Sequence, residues 1–170
     1  MDEEIVYSLK WYALYTRSRH ERLINEQLRR REIDAFLPLR KVKKQWSDRV
    51  KIVEEPLFRG YVFVKTNLIQ KLDVLMIKGA VKFVSNGYKL VPVPEKDILS
   101  LRTMVENNVE LDNYPYLKEG NRVYIKKGPF KGVEGYIVRK DQKNHQLVLS
   151  IDAIMQSAAM KIDMSMVEKL

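Results

Sequence analysis

The spacing of apolar positions divides the chain into short segments of contrasting period. Lys10–Tyr15 is rich in Trp, Tyr and Leu, which suit a pleated, half-buried surface, and predicts a strand. Ser18-x-x-Glu21 has the form of a capping box, and Ile24 and Leu28 lie one turn apart. A helix is therefore expected to run to about Glu32, with a wet, mostly positive outer face. Ala35–Val42 reads as a strand whose Pro38 points to a sheet edge. Val42–Gln45 and Val50–Val53 flank the polar tip Trp46-Ser47-Asp48-Arg49 and predict a basic hairpin. Tyr61–Lys65 (YVFVK) is the strongest strand pattern. Asn67 is placed to cap a second helix whose Leu68, Leu72, Leu75 and Met76 share a face, and Gly79 suits its left-handed end. Asn86-Gly87 is a strong hairpin signal between Lys82–Val84 and Lys89–Val91. Pro94 precedes a third helix, with Ile98, Leu101 and Val105 at helical spacing.

Helices alternating with antiparallel strands make this first part an α+β sandwich: an antiparallel sheet with flanking helices. Glu106–Tyr116 loses the periodicity and gathers Asn, Asp and Pro, as a linker would. Beyond it, short strands recur at Arg122–Lys126, Val133–Arg139, Gln146–Ile151 and Ala158–Ile162, the pattern of a small all-β barrel. The expected organisation is a first domain over 1–105, a linker over 106–116 and a barrel over 117–170.

Charge sharpens this outline through its location. The 170 residues carry 31 Lys+Arg against 22 Asp+Glu, a formal charge of +9. From Lys10 to Lys51 there are thirteen bases against five acids, so nearly all of the surplus sits on the first helix and the basic hairpin. That is the footprint of a surface facing phosphates or an acidic protein. The lack of cysteine removes disulfides, thiolate metal sites and cysteine nucleophiles, and His20 and His145 alone make no histidine-rich site. No metal or cofactor is expected. No apolar run approaches the ~20 residues that span a bilayer. The acidic start precedes its apolar stretch, the reverse of a secretory signal. A cytoplasmic protein without a membrane contact is expected. Catalytic motifs are missing too: there is no Walker-type phosphate loop, Gly-x-Ser-x-Gly elbow or His-Glu-x-x-His stretch, and adjacent Glu54 and Glu55 point to opposite faces of a strand. No enzyme is expected.

Two stretches carry a family resemblance. Trp11-Tyr12-Ala13-Leu14-Tyr15, then Glu54-Glu55-Pro56-Leu57-Phe58-Arg59-Gly60-Tyr61-Val62-Phe63-Val64, resemble the amino-terminal (NGN) domain of NusG-type transcription elongation factors. Gly120-Asn121-Arg122-Val123, then Gly128-Pro129-Phe130-Lys131-Gly132-Val133-Glu134-Gly135, resemble that family's KOW motif. The resemblance implies a ferredoxin-like NGN sandwich followed by a Src-homology-like KOW barrel. It further implies docking on the clamp helices of the largest catalytic subunit of RNA polymerase, where bridging of the DNA cleft suppresses pausing. Carried over by motif position, the docking residues are Tyr15, Phe58, Tyr61 and Phe83. Aromatic side chains of this kind anchor interfaces, and they also fill cores. Arg17, Arg19, His20 and Arg22, at the start of the first helix, are expected to meet the non-template DNA strand of the transcription bubble, since Arg and His planes stack on exposed bases. The Lys41–Lys51 hairpin, with Trp46 near its tip, is placed to touch upstream duplex DNA. In the KOW domain, Phe130 and Ile154 are the partner contacts, toward the termination factor Rho or a ribosomal protein.

The chain departs from the family pattern in two places. Arg59 stands where members usually have proline, adding a charge beside the docking site and removing a fixed backbone angle. The stretch Asp152–Ile162 and the tip Gln45–Arg49 resemble specialised paralogues of the UpxY and RfaH kind. An operon-specific antitermination factor is expected on that basis. The alternatives are a general NusG-type elongation factor and a ribosome-associated KOW RNA-binding protein.

Overall fold

The computed structural model describes residues 6–170, so the acidic start at 1–5 lies outside the described residues. They fall into two compact units, 6–37 with 58–95, and 38–57 with 96–170. Among the described residues no helix is long and apolar enough to cross a membrane.

The first unit is built on β1 (Lys10–Thr16), whose Trp11, Tyr12, Ala13 and Leu14 are all buried. Burial on both faces explains why this strand reads as a continuous apolar run rather than an alternation. One edge pairs antiparallel with β5 (Tyr61–Thr66), in a register that sets Tyr15 opposite Tyr61. The other edge is shared by β6 (Ala80–Phe83) and β9 (Pro92–Val93), and β2 (Ala35–Phe36) closes the far side of β5. Helix α1 (Glu21–Arg30) buries Ile24 and Leu28, as its spacing requires.

Three local expectations change. The strand read over Ala35–Val42 is broken, because Pro38 has no N–H to continue a ladder; β2 ends at Phe36 and β3 (Leu39–Gln45) pairs elsewhere. The capping box is not formed: His20 is the N-cap without a side-chain cap bond, and the Glu21 carboxylate accepts instead from Gly60 N at 2.8 Å. Asn67 closes the turn before the second helix, its Oδ1 accepting from Ile69 N and Gln70 N at 3.0 and 2.9 Å, but the helix itself has Gln70 as its N-cap without a side-chain bond. The helix that follows, α2 (Lys71–Leu75), is a little over one turn, too short for a stripe to develop. It buries Val74, and Ile77 just after it, and leaves Leu72 and Met76 exposed. Gly79 is left-handed at φ 96° and is also needed for space: a Cβ there would lie 2.5 Å from the His20 ring. The predicted hairpin is present as β7 (Ser85–Asn86) and β8 (Lys89–Leu90).

In the second unit, β3 pairs with β4 (Val50–Pro56) from Leu39↔Pro56 to Gln45↔Val50. Arg40 bridges Glu55 at 2.8 Å, and Lys51 Nζ lies 5.5 Å from the centre of the exposed Trp46 ring. Helix α3 (Glu95–Glu106) buries Ile98, Leu101 and Met104. The main sheet is antiparallel, with β10 (Leu111–Tyr114), β14 (Gln156–Ile162), β13 (His145–Ile151), β12 (Glu134–Arg139), β11 (Asn121–Ile125) and β15 (Val167–Lys169) in that spatial order. Its two central strands bury Leu147, Val148 and Leu149 against Ala158, Ala159 and Met160. An α+β first part and an antiparallel all-β second sheet are thus present. Strand β10 lies within the stretch read as a linker; it is held by ladder bonds to β14 and by burial of Leu111, neither of which shows in local periodicity.

Candidate functional site

The antiparallel register of β1 and β5 sets two tyrosines side by side at the end of the first sheet. The Tyr15 and Tyr61 rings are 5.5 Å apart between centroids and inclined at 57°. Tyr15 is 41% exposed, and its ring edge lies over Gly60, where an added Cβ would stand 3.2 Å from Cε2. The loop beneath is pinned from two sides. Gly60 O accepts from Thr16 N at 2.8 Å, while Gly60 N donates to the buried Glu21 carboxylate. A charge-assisted bond of this kind is shorter and stronger than a neutral one. Glu21 therefore ties the start of α1 to the loop that presents the aromatic pair.

The basic cluster follows directly. Arg17 N donates to Gly79 O at 2.8 Å, which fixes the turn leading into α1. Arg19 adopts a left-handed conformation at φ 63°, and the side chains of Arg17, Arg19 and Arg22 are exposed. His20 is half-buried, with its ring packed on Gly79. Its Nδ1 is 2.9 Å from Ser18 O. A carbonyl only accepts, so Nδ1 carries the proton and, in the neutral ring, Nε2 is the acceptor. Three exposed guanidiniums and one oriented imidazole thus lie beside the tyrosine pair, joined to it through Thr16, Gly60 and Glu21.

Two of the expected docking residues are not on this surface. Phe58 is 1% exposed and meets Phe63 edge-on at 6.2 Å; Phe83 is 3% exposed and meets Tyr12 edge-on at 6.2 Å. Both are core residues: Phe83 ends β6 and is buried there, and Phe58, in the bend between β4 and β5, packs on Phe63. Sequence reasoning missed Lys82, exposed and opposite Tyr15 in the β1–β6 register. That pairing joins residues 67 positions apart, and no local signal announces it. In the second unit Phe130 is half-buried, whereas Ile154 is buried and belongs to the core.

Also in the second unit, Asp97 in the first turn of α3 is held near Lys96, Asp152, Glu134 and Arg122. Burial is the largest influence and pushes its carboxyl up to about 6. Glu134 in turn is bridged by Arg122 at 3.0 Å and by Lys96 at 3.4 Å.

Comparison with known proteins bears on both units. A family model described as "Transcription termination factor nusG" matches residues 9–102, more than half of the chain. Among curated relatives, the transcription termination/antitermination protein NusG of Borreliella burgdorferi is 23% identical, covering 96% of this chain and 100% of its own. The protein of the same name from Campylobacter jejuni is 28% identical, with 95% and 97% covered. Among solved structures, one described as "Domain interaction in Thermotoga maritima NusG" is 22% identical and covers 96% of this chain and 98% of its own, with a TM-score of 0.57.

Proposed function

The chain belongs to the NusG family of transcription factors, and from that membership we propose that it binds transcribing RNA polymerase through the Tyr15–Tyr61 surface and acts on pausing and termination. The observation that carries this reading is the aromatic pair of exposed Tyr15 and half-buried Tyr61, braced by Gly60 and Glu21 and bordered by Arg17, Arg19, His20 and Arg22. Rigid aromatic anchors with a basic border suit a partner that is protein at the centre and nucleic acid at the rim. The clamp helices of the largest catalytic subunit are the protein part, and the non-template strand is the nucleic acid. Residues 1–105 supply docking and 106–116 lead into the KOW segment, 117–170. There the half-exposed Phe130 faces Rho or a ribosomal protein. The work is done in the cytoplasm, and no reaction is assigned.

Curated relatives named termination/antitermination protein NusG, aligned over nearly their whole length, favour a general factor over an operon-specific one. The operon-specific reading is kept as the second, resting on Asp152–Ile162 and the Gln45–Arg49 tip. The test has two parts. Tyr15→Ala with Tyr61→Ala should abolish co-purification with elongation complexes while the fold is retained, and unchanged binding would remove the proposal. Occupancy mapped across transcription units separates the two readings: broad for a general factor, confined to a few units for a specialised one. Sedimentation with ribosomal subunits in place of polymerase would favour the ribosome-associated reading instead.

A further inference from the structure

We propose that Tyr88 is a stacking platform for an unpaired nucleobase, with Lys82 and Lys89 as its phosphate contacts. It adds a contact to the nucleic-acid side of the proposed function and rests on that reading only for which strand passes nearby.

Tyr88 is 106% exposed, the most exposed of the large hydrophobic side chains among the described residues. It is held out on an ordered support. The ladder runs through Ser85↔Leu90 and Asn86↔Lys89, and Val91 N donates to Val84 O at 3.1 Å at the base. That leaves a two-residue loop, Gly87-Tyr88. Gly87 has φ 58°, the left-handed setting that the first position of a tight hairpin turn demands. At ~3.3 Å per residue the turn stands about 10 Å from the base of the hairpin at Val84 and Val91.

The hairpin leaves the sheet immediately after β6, whose Lys82 is the register partner of Tyr15. Tyr88 therefore projects from the β6 side of β1, the side on which Lys82 faces the exposed Tyr15, while Tyr61 lies across β1 on β5. The charge along this segment has one sign: from Val74 to Pro94 there are three lysines, Lys78, Lys82 and Lys89, and no acid. An isolated exposed apolar side chain is ordinary. An aromatic face at the tip of a braced turn, within an acid-free stretch, is the combination that single-strand binders use, because every base has a π-face and every nucleotide a negative charge. A protein pocket would be served as well by an aliphatic tip and has no need of the lysines.

An opened DNA strand and an emerging RNA share this chemistry, and the test separates them. The full chain is titrated into fluorescein-labelled oligo-thymidine and, separately, oligo-uridine, with anisotropy read across a salt series. Tyr88→Ala should weaken binding about tenfold, Tyr88→Phe should stay within about twofold, and Lys82→Gln or Lys89→Gln should each flatten the salt slope by about 0.7. Iodouracil in the oligonucleotide should cross-link to Tyr88 on irradiation. Tighter binding of one oligonucleotide identifies the source strand. The proposal is overturned if the unaltered chain binds neither oligonucleotide or if Tyr88→Ala binds like the unaltered chain. It is equally overturned if Tyr88→Ala weakens polymerase binding alone, which would make the contact a protein one. A Tyr88 effect on oligonucleotides without any polymerase binding by the unaltered chain would sink the proposed function and leave this inference standing.

Discussion

Replacing Asp97 by asparagine gives a quantitative test of the charge cluster at the start of α3. Burial raises this carboxyl from 3.8 to about 6, against the lowering influence of Lys96 and Arg122 and with the help of Asp152 and Glu134. The folded chain thus holds a proton between pH 3.8 and about 6 that the unfolded chain has released. The stability tied to that proton is whole below 3.8 and is lost as pH rises through about 6. At about 1.4 kcal/mol per pH unit the ionised group costs at most ~3 kcal/mol above that range. Solvent reaches part of the side chain, and screening brings the expected figure nearer 1 kcal/mol. A carboxamide is neutral at every pH and nearly isosteric with the carboxyl it replaces, so the substitution removes the penalty. Urea unfolding of the full chain should therefore show Asp97→Asn more stable by about 1 kcal/mol at pH 8 and indistinguishable from the unaltered chain near pH 3.5. Carbon-detected titration of the Asp97 carboxyl should give a midpoint near 6 in the folded chain. A variant less stable at pH 8, or a difference that does not change with pH, would refute the account of the cluster.

Other perturbations separate support from surface. Gly79→Ala places a methyl 2.5 Å from the His20 ring at a positive φ, so unfolding should show a loss of about 1–3 kcal/mol, partly restored by adding His20→Ala. Glu21→Gln removes the charge from the bond to Gly60 N and should cost about 1–2 kcal/mol, with faster amide exchange at residues 59–61 as the local readout. Phe58→Ala should cost ~3–5 kcal/mol of stability, as a fully buried aromatic does. Tyr15→Ala should cost under about 1 kcal/mol of stability and yet weaken polymerase binding; the reverse ranking in paired unfolding and binding assays would contradict the division into core and surface.

Local signals in the chain were enough for elements whose cause is local. Asn86-Gly87 marks its hairpin, Asn67 closes the turn that follows it, and YVFVK forms the strand beside β1, whereas Gly79, though left-handed, lies beyond a helix that already ends at Leu75. The family, the α+β class and the position of the basic cluster at the start of α1 were legible for the same reason: each rests on contiguous residues. What tertiary structure decided is everything that needs a distant partner. Glu21 has the spacing of a capping box, but a peptide N–H 39 positions away offers it a buried bond that the exposed Ser18 cannot match. Phe58, Phe83, Tyr15 and Tyr61 are alike as aromatics in a motif. Only the tertiary fold, with β5 and β6 on opposite edges of β1 and Phe58 packed on Phe63 from the bend before β5, buries the phenylalanines while Tyr15 stays exposed and Tyr61 half-buried. Leu72 and Met76 have the right period for a core face, yet α2 ends before a second turn and the sheet takes Val74 and Ile77 instead. Backbone propensity acts over a few residues, whereas burial and charge pairing are set by which segments the fold brings together. That is why the elements could be read from the sequence and the identity of the exposed side chains could not.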